Sequence, residues 1–342
     1  MATSTDIDEL GRHARQASRH LALASSATKD AALRAAAELL VGRAGEVLEA
    51  NEADVERAEA GGVSPTVVDR LRLSTARVGA MAAGLEKVAS LPDPVGEVLD
   101  GWARPNGLRI QRVRVPLGVV GVIYENRPNV TSDAAGLCVK SGNAALLRGS
   151  SAALHSNRAI VAALDGAFTK AGLPEGAVGL LGDTSHASAV AFMRLRGVID
   201  CLVPRGGPGL IQAVLENATV PYVIDGDGNC HVYVDQSADL GMAVAIVRNA
   251  KMQRPSVCNA AESLVVHAAV ADRFLPLVAE ALDGVELVGD DRTRAVLPSV
   301  APASESDFAT EFLDLKMSVA VVASLDAAID HVNRYGSGHT EA

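Results

Sequence analysis

The run QRPSVCNAAE (253–262) holds the cysteine best placed to do chemistry. Cys258 follows Ser256 and Val257 and precedes Asn259, where a core thiol is usually framed by apolar residues. A thiolate nucleophile needs partial exposure and positive surroundings. Lys251 and Arg254 stand close enough in sequence to supply the charge. Cys138, Cys201 and Cys230 fall in a helix, in a strand and at the start of a strand, and read as core or near-core thiols. None of the four has CxxC spacing, so no zinc site is expected. No histidine lies within eight residues of Cys258, and nothing supports a Cys–His hydrolase.

Three other stretches could bind or polarise a ligand. YENRPNVT (124–131) follows the most apolar strand pattern, and Pro128 fixes its turn. Asn129 can donate through its amide without titrating, which suits an oxyanion hole; an asparagine in a turn is the commoner case. LLRGSS (146–151) ends a strand with Arg148 and small hydroxyl residues, a set that can hold a phosphate. No acid stands among these six to take a ribose diol, which leans toward a 2′-phosphorylated dinucleotide; the alternative is a surface arginine. RGGPG (205–209) opens a helix after a strand. It reads either as an anion-binding turn, with Gly206, Gly207 and Gly209 admitting a ligand, or as a plain tight turn. It is not GxGxxG, so the usual dinucleotide fingerprint is absent.

Around these stretches lie the elements that must position them. Residues 6–90 have helical spacing of apolar residues, broken at Gly61-Gly62 and restarted at Ser64-Pro65 as N-cap and N1. LPDPVGE (91–97) is a linker. RIQRVRV alternates like a half-exposed strand. LGVVGVIY is apolar throughout, as a buried parallel strand is. Then DAAGLCVKS (helix), NAALLR (strand), AALHSNRAIVAALDGAFTKA (helix), VGLL (strand), ASAVAFMRLR (helix), IDCLVP (strand), PGLIQAVLENA (helix) and VPYVI (strand) alternate. This rhythm indicates a doubly wound α/β domain. It restarts after Asp225-Gly226-Asp227-Gly228, the expected hinge, giving two α/β domains over 1–225 and 226–342. In the second, QRPSVCN is a loop between the helix LGMAVAIVRNAK and the strand SLVVH.

With 342 residues the chain suits two domains. Aromatic residues are 3%, so the core must be built from Ala, Val and Leu. A formal net charge of −10 with no basic block argues against a nucleic-acid surface. No apolar run is long enough for a membrane span, and the first ten residues lack a signal-peptide pattern. Scattered free thiols suit a reducing, cytoplasmic compartment.

VPLGVVGVIYENRPNVT, SGNAALLRGSS, LVPRGGPGLI, GNCHVYVD, NAKMQRPSVCNAAESLVVH and EFLDLKMSVAVV, in this order, resemble the gamma-glutamyl phosphate reductases of the aldehyde dehydrogenase superfamily. The resemblance covers nearly the whole chain. It implies an aldehyde dehydrogenase-like fold, with a Rossmann-type cofactor domain and an α/β catalytic domain. It also implies NADPH-dependent reduction of L-glutamyl 5-phosphate to L-glutamate 5-semialdehyde and phosphate, in proline biosynthesis. Carried over by motif, Cys258 is the nucleophile and Asn129 the oxyanion donor. Arg148 stands at a cofactor-binding lysine position, the RGGPG glycines lie beside the cofactor pyrophosphate, and Glu311 holds the nicotinamide ribose. Arg127, Lys251 and Arg254 are basic candidates for the substrate carboxylate; no metal is implied. Hydrolytic relatives activate water with a glutamate whose loosely aligned counterpart here is Asp225. The shorter side chain suits phosphate as acceptor, and Asp225 is not assigned as a base.

The family pattern continues past YGSGHTEA with a segment bearing part of the oligomerisation surface, whereas this sequence ends at Ala342. The expectation is that this C-terminal segment is absent and that homo-oligomer formation depends on it. The expected partners are a small-molecule substrate and glutamate 5-kinase, with neither nucleic acid nor membrane. Two alternatives remain at this stage: a hydrolytic aldehyde dehydrogenase with a base near 225, and a non-catalytic cofactor-binding scaffold.

Overall fold

The structure is a computed structural model that describes residues 4–224 and 228–342. Asp225, Gly226 and Asp227, within the expected hinge and at the water-activating position, lie outside the described residues. The chain divides into two compact units, Met1–Ile224 and Asp225–Ala342.

The first unit opens with α1 (Ser4–Leu21), α2 (Ser26–Gly42), α3 (Ala44–Ala60), α4 (Pro65–Leu71) and α5 (Thr75–Ser90). Ser25 and Ser74 cap α2 and α5 by accepting the N–H of Thr28 and Arg77. Pro65 starts α4 after Ser64, where its missing N–H is harmless. On α2, Ala32, Leu33, Ala36, Ala37 and Leu40 recur at helical spacing and are buried on one face. Small side chains of this kind let helices approach closely in a core short of aromatics.

A hairpin follows, β1 (Val98–Ala103) with β2 (Arg109–Val113), antiparallel. Gly107, at φ 86°, makes its turn. The alternation in RIQRVRV led us to expect one buried face; instead every position but Ile110 is exposed. β1 has no such alternation and was not anticipated.

The chain then runs β3 (Val119–Tyr124), α6 (Asn129–Lys140), β4 (Ala144–Arg148), α7 (Leu154–Lys170), β5 (Val178–Leu180), α8 (His186–Met193), β6 (Cys201–Arg205) and α9 (Pro208–Asn217). The four strands β3 to β6 pair in parallel in the order β5-β4-β3-β6. All six residues of β3 are buried between its neighbours. Winding runs outward from β3 through β5, then returns to place β6 on the other side of β3. That reversal is a topological switch point, and ligands of open α/β sheets bind outside the carboxyl ends of the strands there. VPYVI forms no strand: it makes one bridge, Leu202 with Tyr222. Pro221 has no N–H to give a ladder.

The second unit contains β7 (Cys230–Val234), α10 (Leu240–Met252), β8 (Ala261–His267), α11 (Ala268–Ala281), β9 (Glu286–Gly289), α12 (Asp291–Val296), β10 (Ala301–Pro302), α13 (Glu305–Phe308), β11 (Lys316–Val322) and α14 (Leu325–Tyr335). Its sheet is parallel, ordered β10-β9-β11-β8-β7. Residues 340–342 run along the outer edge of β7, where Tyr233 donates to Ala342 and Ala342 to His231. No helix among the described residues is long and apolar enough to cross a membrane.

Candidate active site

In the first unit, the loops after β3, β4 and β6 bring together most of the residues singled out from sequence. Tyr124, the last residue of β3, is buried, and its hydroxyl shares a 2.7 Å hydrogen bond with Thr131 of α6. Thr131 in turn donates to Asn157 of α7 at 2.9 Å. A Cβ on Gly149 would overlap the Asn157 amide, so only glycine fits there. This buried chain of hydrogen bonds ties the end of β3 to α6 and α7.

Within that turn the structure distinguishes two asparagines. Asn129 is the first residue of α6; it is exposed, and its amide donates to Asp133 one turn along at 3.0 Å. Asn126 lies at the carboxyl end of β3, in the turn itself. Its Oδ1 accepts from the Ser150 hydroxyl at 2.9 Å. Asn126 and Asn129 thus stand three residues apart, one just past the end of β3 and the other at the start of α6.

Glu125 was missed. Its carboxylate accepts the Gly207 N–H at 2.9 Å, across the switch point between β3 and β6. A Cβ on Gly206 would stand 2.7 Å from that carboxyl carbon and from a Leu210 methyl, so a larger residue there would push both side chains aside. Gly209, by contrast, faces open space. Arg148 ends β4, and its Nη2 donates to the carbonyls of Thr184 and Ser185 at 2.7 and 3.0 Å. Its Nε is buried with no hydrogen-bond partner. Burial draws the guanidinium below its ordinary pKa, against the pull of Asp183. Arg127 is half-buried in the same turn.

In the second unit, Cys258 lies on the loop between α10 and β8, and of the four thiols it alone is not buried. Burial pushes Cys138 up to about 12, Cys230 up to about 11, and Cys201 up as well. These three are held as inert thiols. The Cys258 carbonyl accepts from the Cys230 Sγ at 3.2 Å. A Cβ on Gly228 would overlap that same carbonyl oxygen and come within 2.7 Å of a Glu311 carboxylate oxygen. Gly228 thus allows the nucleophile loop and Glu311 to converge on one point. Arg254 is exposed on the loop.

Lys251 is placed differently from a substrate-facing cation. It is fully buried in the last turn of α10 and donates to Glu262 at 2.6 Å, with both side chains inaccessible. Desolvation disfavours both charges, drawing Lys251 down and pushing Glu262 up to about 7. The basic residue near Cys258 in sequence is neutralised by an acid eleven positions later, a pairing no local pattern announces.

The aldehyde dehydrogenase family model matches residues 1–315. The gamma-glutamyl phosphate reductase of Moorella thermoacetica is 51% identical over 344 residues, covering 100% of this chain and 82% of that protein. The crystal structure of the gamma-glutamyl phosphate reductase from Thermotoga maritima superposes with a TM-score of 0.90 at 47% identity, over 98% of this chain and 82% of that one. That of the Saccharomyces cerevisiae gamma-glutamyl phosphate reductase gives a TM-score of 0.61 at 27% identity, over 100% and 86%.

Proposed function

This chain belongs to the aldehyde dehydrogenase family and, within it, to the gamma-glutamyl phosphate reductases, and on that premise we propose that it reduces L-glutamyl 5-phosphate to L-glutamate 5-semialdehyde through a thioester on Cys258. The observation that carries the reading is the partly exposed Cys258, set on a loop whose carbonyl packs against Gly228 beside Glu311, while the other three thiols are buried. The Cys258 thiolate attacks the acyl carbon, a carbon–sulfur bond forms, and the carbon–oxygen bond to phosphate breaks. NADPH, when bound, supplies the hydride that reduces the thioester. The resulting hemithioacetal collapses: the carbonyl reforms, the carbon–sulfur bond breaks, and the thiolate returns.

The chain's own residues fit such a cofactor. The switch-point crevice and the Gly206-Gly207 turn at the carboxyl end of β6 suit a nucleotide phosphate. Arg148, Gly206, Gly207 and Gly209 would hold it there, and Glu311 would orient the ribose. The lack of an acid among residues 146–151 favours the 2′-phosphorylated form. The resemblance gives the oxyanion to the amide of Asn129, at the start of α6. Arg127 and Arg254 are the basic groups available to the substrate carboxylate. Substituting Cys258→Ala is expected to abolish NADPH oxidation by glutamyl phosphate and leave NADPH binding intact. Turnover at the parental rate would overturn the assignment.

A further inference from the structure

Glu262 sits four residues after Cys258, at the start of β8, and nothing in the mechanism above uses it. Its two carboxylate oxygens have separate tasks. One accepts from Lys251 at 2.6 Å, and the other accepts the backbone N–H of Leu313 at 3.1 Å. Leu313 is the one non-glycine residue with positive φ, 55°, among the described residues. An L-residue with a branched side chain disfavours that left-handed region and persists there only where surrounding contacts hold it. Leu313 lies two residues beyond Glu311, in the connection between α13 and β11. The carbonyl of Glu262 also accepts from the Ser318 hydroxyl on β11 at 3.3 Å. One buried acid therefore joins the end of α10, the strand leaving the nucleophile loop, and the turn that carries Glu311.

We propose that Glu262, itself held by Lys251, is a positioning residue that pins the left-handed turn at Leu313 and thereby aims the Glu311 carboxylate at the cofactor ribose. Glu262 touches neither substrate nor cofactor. Its reach to the chemistry runs through Leu313 and Glu311, so this inference rests on the ribose role proposed for Glu311. Lys251 orients the acid and compensates its charge in a site without water contact. The pairing accounts for a lysine and a glutamate, each inaccessible, beside a reactive loop.

Two double variants separate positioning from mere packing. Both remove the buried charges together, a change that interiors tolerate when volume is kept. Glu262→Gln with Lys251→Met retains an oxygen acceptor for the Leu313 N–H. Glu262→Met with Lys251→Met does not. NADPH binding, read by fluorescence titration in the full chain, is expected to weaken on the order of ten-fold in the Met/Met protein relative to the Gln/Met protein. KM for NADPH should rise in parallel, with kcat less affected. Equal dissociation constants in the two variants would overturn the proposal. Glu311→Gln tests the underlying reading: if it binds NADPH as the parent does, the ribose role fails and this inference fails with it. If Glu311→Gln weakens binding and the two doubles do not differ, only the positioning role falls. A measurement on the parent needs no variant to fold: by hydrogen exchange the Leu313 amide should be strongly protected. Exchange at the rate of a free peptide would refute the pinned turn.

Discussion

Replacing Gly228 with alanine should damage the nucleophile loop more than a methyl added at any other described glycine of the second unit. Ordinary contact begins near 3.4 Å, yet the new Cβ would stand 2.8 Å from the Cys258 carbonyl carbon and 2.7 Å from a Glu311 oxygen, and closer still to the Cys258 carbonyl oxygen. Glu311 could swing away by a rotamer change, but the Cys258 backbone has no such freedom, and its carbonyl oxygen, the tightest contact, must retreat by more than about 1 Å to restore contact distance. A displacement of about 1 Å in a reacting group can cost on the order of 10²-fold in rate. Overpacking of this kind destabilises by about 1–3 kcal/mol, which leaves the protein folded but weakened. Gly228→Ala is therefore expected to lose kcat/KM by about 10²-fold, with KM for NADPH raised because Glu311 moves too. The assay is NADPH oxidation by glutamyl phosphate, with circular dichroism to confirm folding. Gly79→Ala, inside α5 with nothing within 4 Å of the added carbon, is the control. It should leave kinetics unchanged and raise stability by roughly 0.5–1 kcal/mol. Parental kcat/KM in folded Gly228→Ala would refute the convergence of the two loops on this glycine.

Asn129→Ala is expected to lower kcat by about 10²–10³-fold, the usual loss of one oxyanion donor, and Asn126→Ala to lower it far less; steady-state kinetics of the two checks this. Alkylation at about pH 8 should mark Cys258 first, because thiols held near 12 and 11 leave Cys138 and Cys230 thiolate fractions of roughly 10⁻⁴ and 10⁻³. Peptide mapping after iodoacetamide treatment checks this, and equal labelling of the four would count against it. His331, packed edge-on against His231, Phe308 and Tyr335, is held down to about 4 by burial and by His231. Unfolded, it takes its proton near its ordinary value of about 6.5. Between those values the unfolded chain binds a proton that the folded one does not. Its contribution to stability is thus complete above about 6.5 and lost as pH falls through about 4. Urea titrations across that window should show His331→Phe to be less acid-sensitive than the parent.

The α/β rhythm was legible because long amphipathic helices and apolar strands carry strong periodicity. Cys258 was legible because a thiol among polar loop residues stands apart from thiols in strands and helices. That Asn129 starts α6 was not legible, because Pro128 reads as a turn residue and only its backbone, already helical at φ −57° and ψ −30°, places the helix start there. Lys251 misled because its partner, Glu262, lies across a turn on another element, and burial is invisible in local spacing. Glu125 was hidden for a related reason: its partner Gly207 is brought to it only by the pairing of β3 with β6. The hairpin β1–β2, exposed on both faces, had no hydrophobic alternation to betray its first strand. The short α12, β10 and α13 are below the length at which periodicity speaks.

Phosphate dependence tests the central claim most directly. In the reverse direction, glutamate 5-semialdehyde and NADP⁺ should form NADPH only when inorganic phosphate is present to take the acyl group from Cys258, with the initial rate rising from baseline and saturating in phosphate. An equal rate of NADPH formation without phosphate would mean that water accepts the acyl group, and would contradict the account.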